Sequence, residues 1–344
     1  MSEKLLPQIV RKARSENRVA VAPLVGFPGI QLVGSTVKLA QQNAGEHFKV
    51  VKAVADAFSP DIVFSLMDLS VEANALGRFT IFPREDSATV PPERFSVGDL
   101  GDLAGIDIAL DSRLSGYVET MRLMKAGLPQ GILRGAYVTG PYSLAALLMG
   151  AGNAAMATVT DPGGLAQVCE FATERIQEYV QMLIVAGAQV VCVLEPTAVM
   201  LGPEQFGRFS GDYVRHIANS CRYTRTAIVY HTCGNTMHLV ERMVASGVDA
   251  ISLDSAHVGV DLPTVAETVP AEVAIMGNLN PIGSLRLGTP EEVVVETTAL
   301  LETMERHPNF ILSTGCDLPQ DTPAGNILAF MHAARRYRRP PVEP

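Results

Sequence analysis

The sequence predicts a single (β/α)8 barrel that spans residues 1–344, and three observations support this fold class. Short apolar runs of strand length alternate with helical segments along the chain. The runs are apolar at consecutive positions, which is typical of parallel strands that are buried on both faces. There are eight such runs, the number of strands that closes a barrel. A doubly wound open sheet is the alternative, but no Gly-x-Gly-x-x-Gly follows the first run.

The first half of the chain contains three of the predicted strands and one interruption. We predict strands at 19–26, 62–68 and 132–140, with helices at 34–58 and 112–127 between them. Between about 70 and 112, Gly, Pro and mixed charges break the alternation. This stretch predicts an excursion over one end of the barrel, inserted after the second strand.

The second half of the chain is more regular. Strands are predicted at 190–195, 227–233, 250–254, 274–280 and 310–316, and helices at 162–187, 203–220, 290 onward and 323–336. Asp161 before Pro162 indicates a helix N-cap followed by proline in the first turn. Thr289 and Glu292 have the spacing of a capping box.

Composition excludes several classes of protein. The chain has 27 Lys and Arg against 36 Asp and Glu, a net charge of −9, which argues against nucleic acid as a partner. The opening segment MSEKLLPQIVRKARSEN mixes charged with apolar residues, so we expect no secretory signal and no membrane partner. Five cysteines without an export signal indicate a reducing, cytoplasmic location, where cysteine serves as core, catalyst or metal ligand.

Polar side chains follow most of the predicted strands at their carboxyl ends. In a barrel these ends form the mouth, where active sites lie. The residues concerned are Asp68, Tyr142, Glu195, His231, Cys233, Asp254, Asn278, Asn280, Cys316 and Asp317. The strand starts are Val, Ile, Ala or Phe, and this asymmetry predicts a functional site at the mouth.

Three of these residues predict a zinc site. His231 and Cys233 are two positions apart, so in an extended strand both side chains point the same way. Cys316 ends the eighth strand and is expected to face the same mouth. Two thiolates and one imidazole favour Zn²⁺, and three protein ligands with one open position are typical of catalytic zinc. Asp254, one strand further on, is the best acidic candidate for a fourth ligand.

The remaining polar residues are assigned by position. Glu195 and Asp68 each end an apolar strand, and we predict catalytic roles for both. The alternative for each carboxylate is to accept hydrogen bonds from N–H groups of a neighbouring loop. Tyr142, Asn278 and Asn280 are assigned to contacts with a cofactor. Cys169, Cys192 and Cys221 fall within predicted helices or strands and are expected to be core residues.

Three motifs resemble the uroporphyrinogen decarboxylase superfamily. They are HTCGNT at 231–236, STGCDLPQDTPAGNI at 313–327 and GPYSL at 140–144, and the resemblance covers nearly the whole chain. Within the superfamily, His-x-Cys on strand five and Cys on strand eight resemble the zinc-dependent, corrinoid-linked methyltransferases. The resemblance implies Zn²⁺ and a corrinoid of the methylcobalamin type that is carried by a partner protein.

The implied function is transfer of a methyl group between that corrinoid protein and a small molecule such as a thiol or a methoxy compound. The first alternative is a uroporphyrinogen decarboxylase. Its N-terminal arginine segment is missing here, since no arginine lies between Arg18 and Arg78, and a tetrapyrrole with many carboxylates requires such residues. The second alternative is a non-catalytic binding component of a corrinoid complex. The sequence does not decide the direction of transfer, the methyl donor and acceptor, or the oligomeric state.

Overall fold

Eight parallel strands form one barrel-like sheet in the computed structural model, which describes residues 3–338. The ends of the predicted domain, 1–2 and 339–344, lie outside the described residues. The strands are β1 Ala20–Val21, β2 Ile62–Phe64, β3 Leu133–Thr139, β4 Val190–Leu194, β5 Ala227–Thr232, β6 Ala250–Leu253, β7 Ala274–Leu279 and β8 Phe310–Thr314. All eight predicted strands are confirmed, and each ends one to five residues before its predicted end.

From β2 to β8 the sheet pairs each strand with the next strand in the chain, and β8 pairs with β1, whereas β1 and β2 form no ladder. Between β1 and β2 the contact is a single backbone hydrogen bond, in which the N–H of Asp61 donates to the carbonyl of Val21 over 2.8 Å. The Asp61 carboxylate accepts the N–H of Val21 and also pairs with Arg18. The predicted (β/α)8 barrel is therefore confirmed.

Helices surround the sheet. They are α1 Leu5–Ser15, α2 Pro28–Val33, α3 Val37–Gln42, α4 Ala44–Phe58, α5 Val71–Ala75, α6 Leu100–Ala104, α7 Ser112–Gly127, α8 Pro141–Met149, α9 Ala151–Thr160, α10 Pro162–Ala186, α11 Pro203–Phe206, α12 Asp212–Ser220, α13 Val240–Ala245, α14 Leu262–Thr268, α15 Ser284–Leu287, α16 Pro290–Thr303 and α17 Ala324–Arg336. The predicted N-cap at Asp161 and the capping box at Thr289 and Glu292 are both confirmed.

Two predicted helices are interrupted. The segment 34–58 was expected to be one helix, but Gly34 ends α2 in the left-handed region at φ 63°. The side chains of Thr36 and Asn43 then accept N–H groups that begin α3 and α4. The segment 203–220 contains a π-helical turn at Gly207–Gly211. Side-chain caps and a π-helical turn therefore interrupt two segments that the spacing of apolar residues alone predicts to be continuous helices.

The inside of the barrel is closed at its amino end by α1. Leu6, Ile9 and Ala13 of this helix pack on the interior side chains of the strands. Higher in the barrel, the rings of Phe64 and Tyr137 stack with their centroids 4.9 Å apart. A plugged base leaves the carboxyl-end mouth as the place for a site.

The predicted excursion between 70 and 112 carries α5, α6 and an antiparallel bridge between Ile81 and Thr89. Among the described residues no single helix is both long and apolar enough to cross a membrane. The pair α8 and α9 passes that test only when joined, and the two helices are bent by 106° at their junction.

Candidate metal centre at the barrel mouth

The structure brings His231, Cys233 and Cys316 together at the mouth. His231 Nε2 lies 3.1 Å from Cys233 Sγ and 3.8 Å from Cys316 Sγ, and the two sulfurs are 3.3 Å apart. Within residues 3–338 this is the one group of three or more His, Cys, Asp or Glu residues whose donor atoms all converge. We call these residues the triad.

A residue that the sequence analysis missed orients the histidine. Ser252 of β6 is in register with His231 of β5, and its Oγ lies 3.0 Å from His231 Nδ1. A hydrogen bond at Nδ1 leaves Nε2 free to act as a ligand toward the two sulfurs. The signal in the sequence is a serine in an otherwise apolar strand beside the histidine strand.

Asp254, the expected fourth ligand, is not among the residues whose donor atoms converge at the triad. Its Oδ2 accepts the N–H of Gly234 over 2.8 Å, and its Oδ1 accepts the N–H of Ser255 over 2.6 Å. Both oxygens are thus used by backbone groups. The carboxylate holds the turn that follows Cys233, where Gly234 has φ 85°, and so it supports the ligand loop.

The thiols of the triad depend on each other. The hydrogen bond between the Cys316 and Cys233 thiols, followed by burial, raises the pKa of the Cys316 thiol well above its ordinary value, while His231 opposes the rise. A second thiolate beside the first is therefore unfavourable in the bare protein. A bound cation removes this obstacle because it stabilises both thiolates at once.

Both carboxylate oxygens of Glu195 accept hydrogen bonds from other residues of the protein. Its oxygens accept the N–H groups of Tyr142 and Ser143 at the start of α8, over 3.0 and 2.8 Å, and the hydroxyl of Ser210 over 2.7 Å. The side chain is completely buried, and burial raises its pKa. These contacts are those of the alternative considered for Glu195, a carboxylate that accepts hydrogen bonds from the N–H groups of a neighbouring loop.

Asp68 is also tied into a buried network. Its carboxylate forms an ion pair with Arg113 and accepts the Tyr117 hydroxyl over 2.9 Å. The N–H and hydroxyl of Ser70 bind the other oxygen, over 2.9 and 2.7 Å. Four donors leave this carboxylate little capacity for a reacting molecule, although it lies on the wall of a cleft at the mouth.

The three residues assigned to a cofactor differ in burial and in hydrogen bonding. Tyr142 is completely buried, with no hydrogen-bond partner for its hydroxyl. The amide of Asn278 donates to the carbonyls of Asp254 and Val260, over 2.9 and 3.3 Å. Asn280 accepts the N–H of Ile282 over 3.1 Å. Their observed contacts shape the loops of the mouth.

A cleft of about 730 Å³ opens at the mouth beside the triad. Asp317, the residue after Cys316, lies on its wall, and its Oδ1 accepts the N–H groups of Gly26 and Leu318 over 3.2 and 3.1 Å. Oδ2 is buried and has no partner. Burial raises the pKa of Asp317 to about 7, although the two N–H groups oppose the rise.

The other three cysteines confirm the expectation of core residues. Cys169, Cys192 and Cys221 are all buried, and burial raises the pKa of each thiol. Cys233 and Cys316 differ from these three because both are partly exposed and lie within reach of His231.

Comparison with protein families identifies the superfamily. The family model described as uroporphyrinogen decarboxylase (URO-D) matches residues 30–337, which include every strand from β2 to β8. The chain belongs to the uroporphyrinogen decarboxylase family. The resemblance found in the three motifs is thereby confirmed.

Relatives of this family member include proteins with two different activities. The chain is 28% identical over 252 residues to the methylcobamide:CoM methyltransferase MtbA of Methanosarcina mazei. This alignment covers 71% of each of the two chains. It is also 28% identical over 209 residues to a uroporphyrinogen decarboxylase of Burkholderia pseudomallei, an alignment that spans 58% of this chain and 56% of that protein. Identity alone therefore does not separate the two activities.

The fold of this family member is shared by a methyltransferase from Methanosarcina mazei. The two structures superpose with a TM-score of 0.85 at 20% identity, over 97% of this chain and 99% of the other. This neighbour shows the fold, and the MtbA relative supports the sequence-based expectation of an enzyme, a methyltransferase. The residues at the mouth of this chain are the evidence for the reaction that it catalyses.

Proposed function

We propose that this protein is a zinc-dependent methyltransferase that moves a methyl group between a corrinoid carried by a partner protein and a small molecule such as a thiol or a methoxy compound. The observation that carries the proposal is the convergence of His231, Cys233 and Cys316 at the barrel mouth. The MtbA relative, whose name describes transfer from a methylcobamide, supports the same reaction class.

The donor atoms of the triad fit a zinc ion. Zinc with Zn–S of about 2.3 Å and Zn–N of about 2.0 Å in a tetrahedron requires donor separations of about 3.5–3.8 Å. The separations of 3.1, 3.3 and 3.8 Å are close to these values. When bound, the ion supplies a Lewis acid that lowers the pKa of a thiol or polarises an oxygen that carries a methyl group.

The protein's own residues orient the triad and leave one side of it accessible. Ser252 sets the ring of His231 through Nδ1, and Asp254 holds the turn after Cys233. His231 is buried, whereas Cys233 and Cys316 are partly exposed toward the mouth. The residues thus present three ligands from below and leave the fourth direction for a small molecule.

The outer surface of the mouth supports a protein partner. Several large apolar side chains are exposed on the loops and short helices that follow the strands: Phe79 61%, Met200 64%, Ile282 51% and Leu287 79%. They lie on the segments that connect β2, β4 and β7 to the strands that follow them. Exposed apolar groups at a functional mouth are typical of protein docking sites, and we assign the corrinoid protein to this surface.

The decarboxylase alternative finds less support in these residues. Uroporphyrinogen carries many carboxylates, and their recognition requires arginines at the mouth. The loop after β1, from Gly26 to Gly34, contains no arginine. Decarboxylation of uroporphyrinogen needs no metal, so that reaction gives the triad no role. The second alternative, a non-catalytic binding component, gives no reason for a zinc site with an open fourth position.

Metal analysis paired with a methyl-transfer assay tests the proposal. We expect one zinc per chain and demethylation of free methylcobalamin by small thiols, both lost in Cys316→Ala. Cys221→Ala, a buried cysteine outside the triad, is the matched control and is expected to retain both. Absence of zinc from the purified protein, or full activity in Cys316→Ala, would refute the proposal. Formation of coproporphyrinogen by the metal-free protein would instead establish the decarboxylase.

A further inference from the structure

The two thiols of the triad are close enough to react with each other. Cys233 Sγ and Cys316 Sγ are 3.3 Å apart, although the two residues are separated by 83 positions in the chain. A disulfide bond is about 2.05 Å long, so each sulfur needs to move by only about 0.6 Å toward the other. A movement of this size concerns the two side chains and leaves the pairing of the strands unchanged.

Exposure separates this pair from the other cysteines. Both Cys233 and Cys316 are partly exposed, whereas Cys169, Cys192 and Cys221 are buried. Oxidation of a cysteine depends on its exposure, and it stops at a disulfide when a second thiol lies within reach. Of the five cysteines, all of which belong to the described part of the chain, Cys233 and Cys316 are the two that combine exposure with a neighbouring sulfur.

A disulfide and a metal ion compete for the same two sulfur atoms. Zinc binds cysteine as the thiolate, and a sulfur atom in a disulfide carries no negative charge. Once the disulfide has formed, His231 is the one member of the triad that keeps its donor atom. Zinc sites in proteins use three or four protein ligands, so the disulfide form and the zinc-bound form exclude each other.

We propose that Cys233 and Cys316 are a redox modification site, at which a peroxide converts the metal-free pair to a disulfide that excludes zinc. One thiol reduces hydrogen peroxide to water and becomes a sulfenic acid. The second thiol attacks that sulfur, the S–S bond forms, and the hydroxyl group leaves as a second water. In total the two thiols lose two protons and two electrons, and one peroxide becomes two waters.

A dithiol reductant reverses the modification through thiol–disulfide exchange. The oxidation of the two thiols goes beyond the proposed function and does not depend on it. The consequence for zinc rests on the proposed function, because it assumes that the triad binds the metal.

Peroxide treatment of the full-length protein, freed of zinc with a chelator, tests the proposal. Mass spectrometry is expected to show the loss of two hydrogen atoms, about 2 Da, and the number of free thiols is expected to fall from five to three. Trypsin cleaves after Arg242 and Arg306, between the two cysteines, so their peptides stay linked only through the disulfide. Five remaining thiols, or a link that includes another cysteine, would overturn the proposal.

Variants identify the reacting pair. In Cys316→Ser the second thiol is missing, and Cys233 is expected to stop at a sulfenic acid that dimedone traps, or to continue to a sulfinic acid, without the 2 Da loss. Cys221→Ala, which removes a buried cysteine outside the triad, is the matched control and is expected to lose two hydrogen atoms as the wild type does. An intramolecular disulfide in Cys316→Ser would show that the site lies elsewhere.

Zinc uptake after removal of the peroxide tests the exclusion of the metal. The reduced protein is expected to bind one zinc per chain, and the disulfide-bonded protein is expected to bind none. Dithiothreitol is expected to restore both the free thiols and the uptake of zinc. A disulfide-bonded protein that still binds one zinc per chain would contradict the proposal, and so would thiols that dithiothreitol does not recover.

The mass and thiol measurements separate this inference from the proposed function. If the disulfide forms but the reduced, zinc-treated protein does not demethylate methylcobalamin, the modification site stands and the proposed function fails. If the reduced protein demethylates methylcobalamin and peroxide leaves Cys233 and Cys316 as free thiols, the proposed function stands and the modification site fails.

Discussion

Ser252 Oγ lies 3.0 Å from His231 Nδ1, and the two residues occupy the same register position on adjacent strands. This contact connects the rigid sheet to the triad, because the ring of His231 is oriented by a strand residue and not by a loop. A metal site supported in this way is positioned by the barrel itself.

Ser252→Ala is expected to weaken zinc binding by about 10- to 100-fold, since loss of a partner behind a histidine ligand has an effect of this size. Competition with a chelator of known affinity measures the change. Ser313→Ala is the control, because Ser313 is a buried strand serine whose hydroxyl donates to Ala22 and not to the triad. Equal zinc affinities of Ser252→Ala and Ser313→Ala would show that the contact does not position the ligand.

Asp254→Asn separates loop support from metal ligation. Both oxygens of Asp254 accept backbone N–H groups, so we expect the variant to keep one zinc per chain with affinity lowered by less than about 100-fold. His231→Ala, which removes a donor atom of the triad, is expected to abolish stoichiometric binding. Metal analysis after dialysis provides the comparison. If Asp254→Asn loses zinc as completely as His231→Ala, Asp254 is the fourth ligand after all.

Glu72 predicts a pH dependence of stability. It is buried and accepts the N–H and hydroxyl of Thr139 over 2.7 and 2.9 Å, and burial raises its pKa from 4.5 to about 7. Between those pH values the folded chain keeps a proton that the unfolded chain releases. Its contribution to stability is therefore present below about pH 4.5 and is lost as the pH rises toward 7.

Glu72→Gln removes this titration, because the amide can accept the Thr139 N–H and donate to its hydroxyl. Relative to the variant, the wild type is expected to lose about 1.4 kcal/mol of unfolding free energy per pH unit between about pH 5 and 7. Urea unfolding at a series of pH values measures the difference. A difference that does not change with pH would show that Glu72 is already ionised in the folded protein.

Gly140→Ala is expected to destabilise the fold through Glu195. A Cβ at this position would lie 2.2 Å from both Cγ and Cδ of the buried Glu195, so the carboxylate must leave the N–H groups of α8. Overpacking of this kind costs about 1–3 kcal/mol. Gly116→Ala in α7, where a Cβ meets nothing within 4 Å, is the control and is expected to be neutral or stabilising. Similar urea midpoints for the two variants would contradict this account.

The sequence by itself determined the architecture. Eight apolar runs, each too short for a helix and apolar on both faces, specify parallel strands because only that arrangement buries every side chain. Side chains two positions apart in a strand point the same way, which places His231 and Cys233 on one face of strand five. Cys316 ends strand eight, and the carboxyl ends of parallel strands lie at the same mouth. These inferences rely on local periodicity, which is a property of the chain.

Only the tertiary structure shows which donors surround the carboxylates at the strand ends. Glu195, Asp68 and Asp254 end apolar strands in the sequence just as the triad residues do. In the fold, however, each meets N–H, hydroxyl or guanidinium donors from other segments, and its oxygens are occupied. The role of a carboxylate depends on which donors surround it, and several of these donors, such as Gly234 and Arg113, are distant from it in the chain. The partnerless Asp317 oxygen and the Ser252 contact became visible for the same reason.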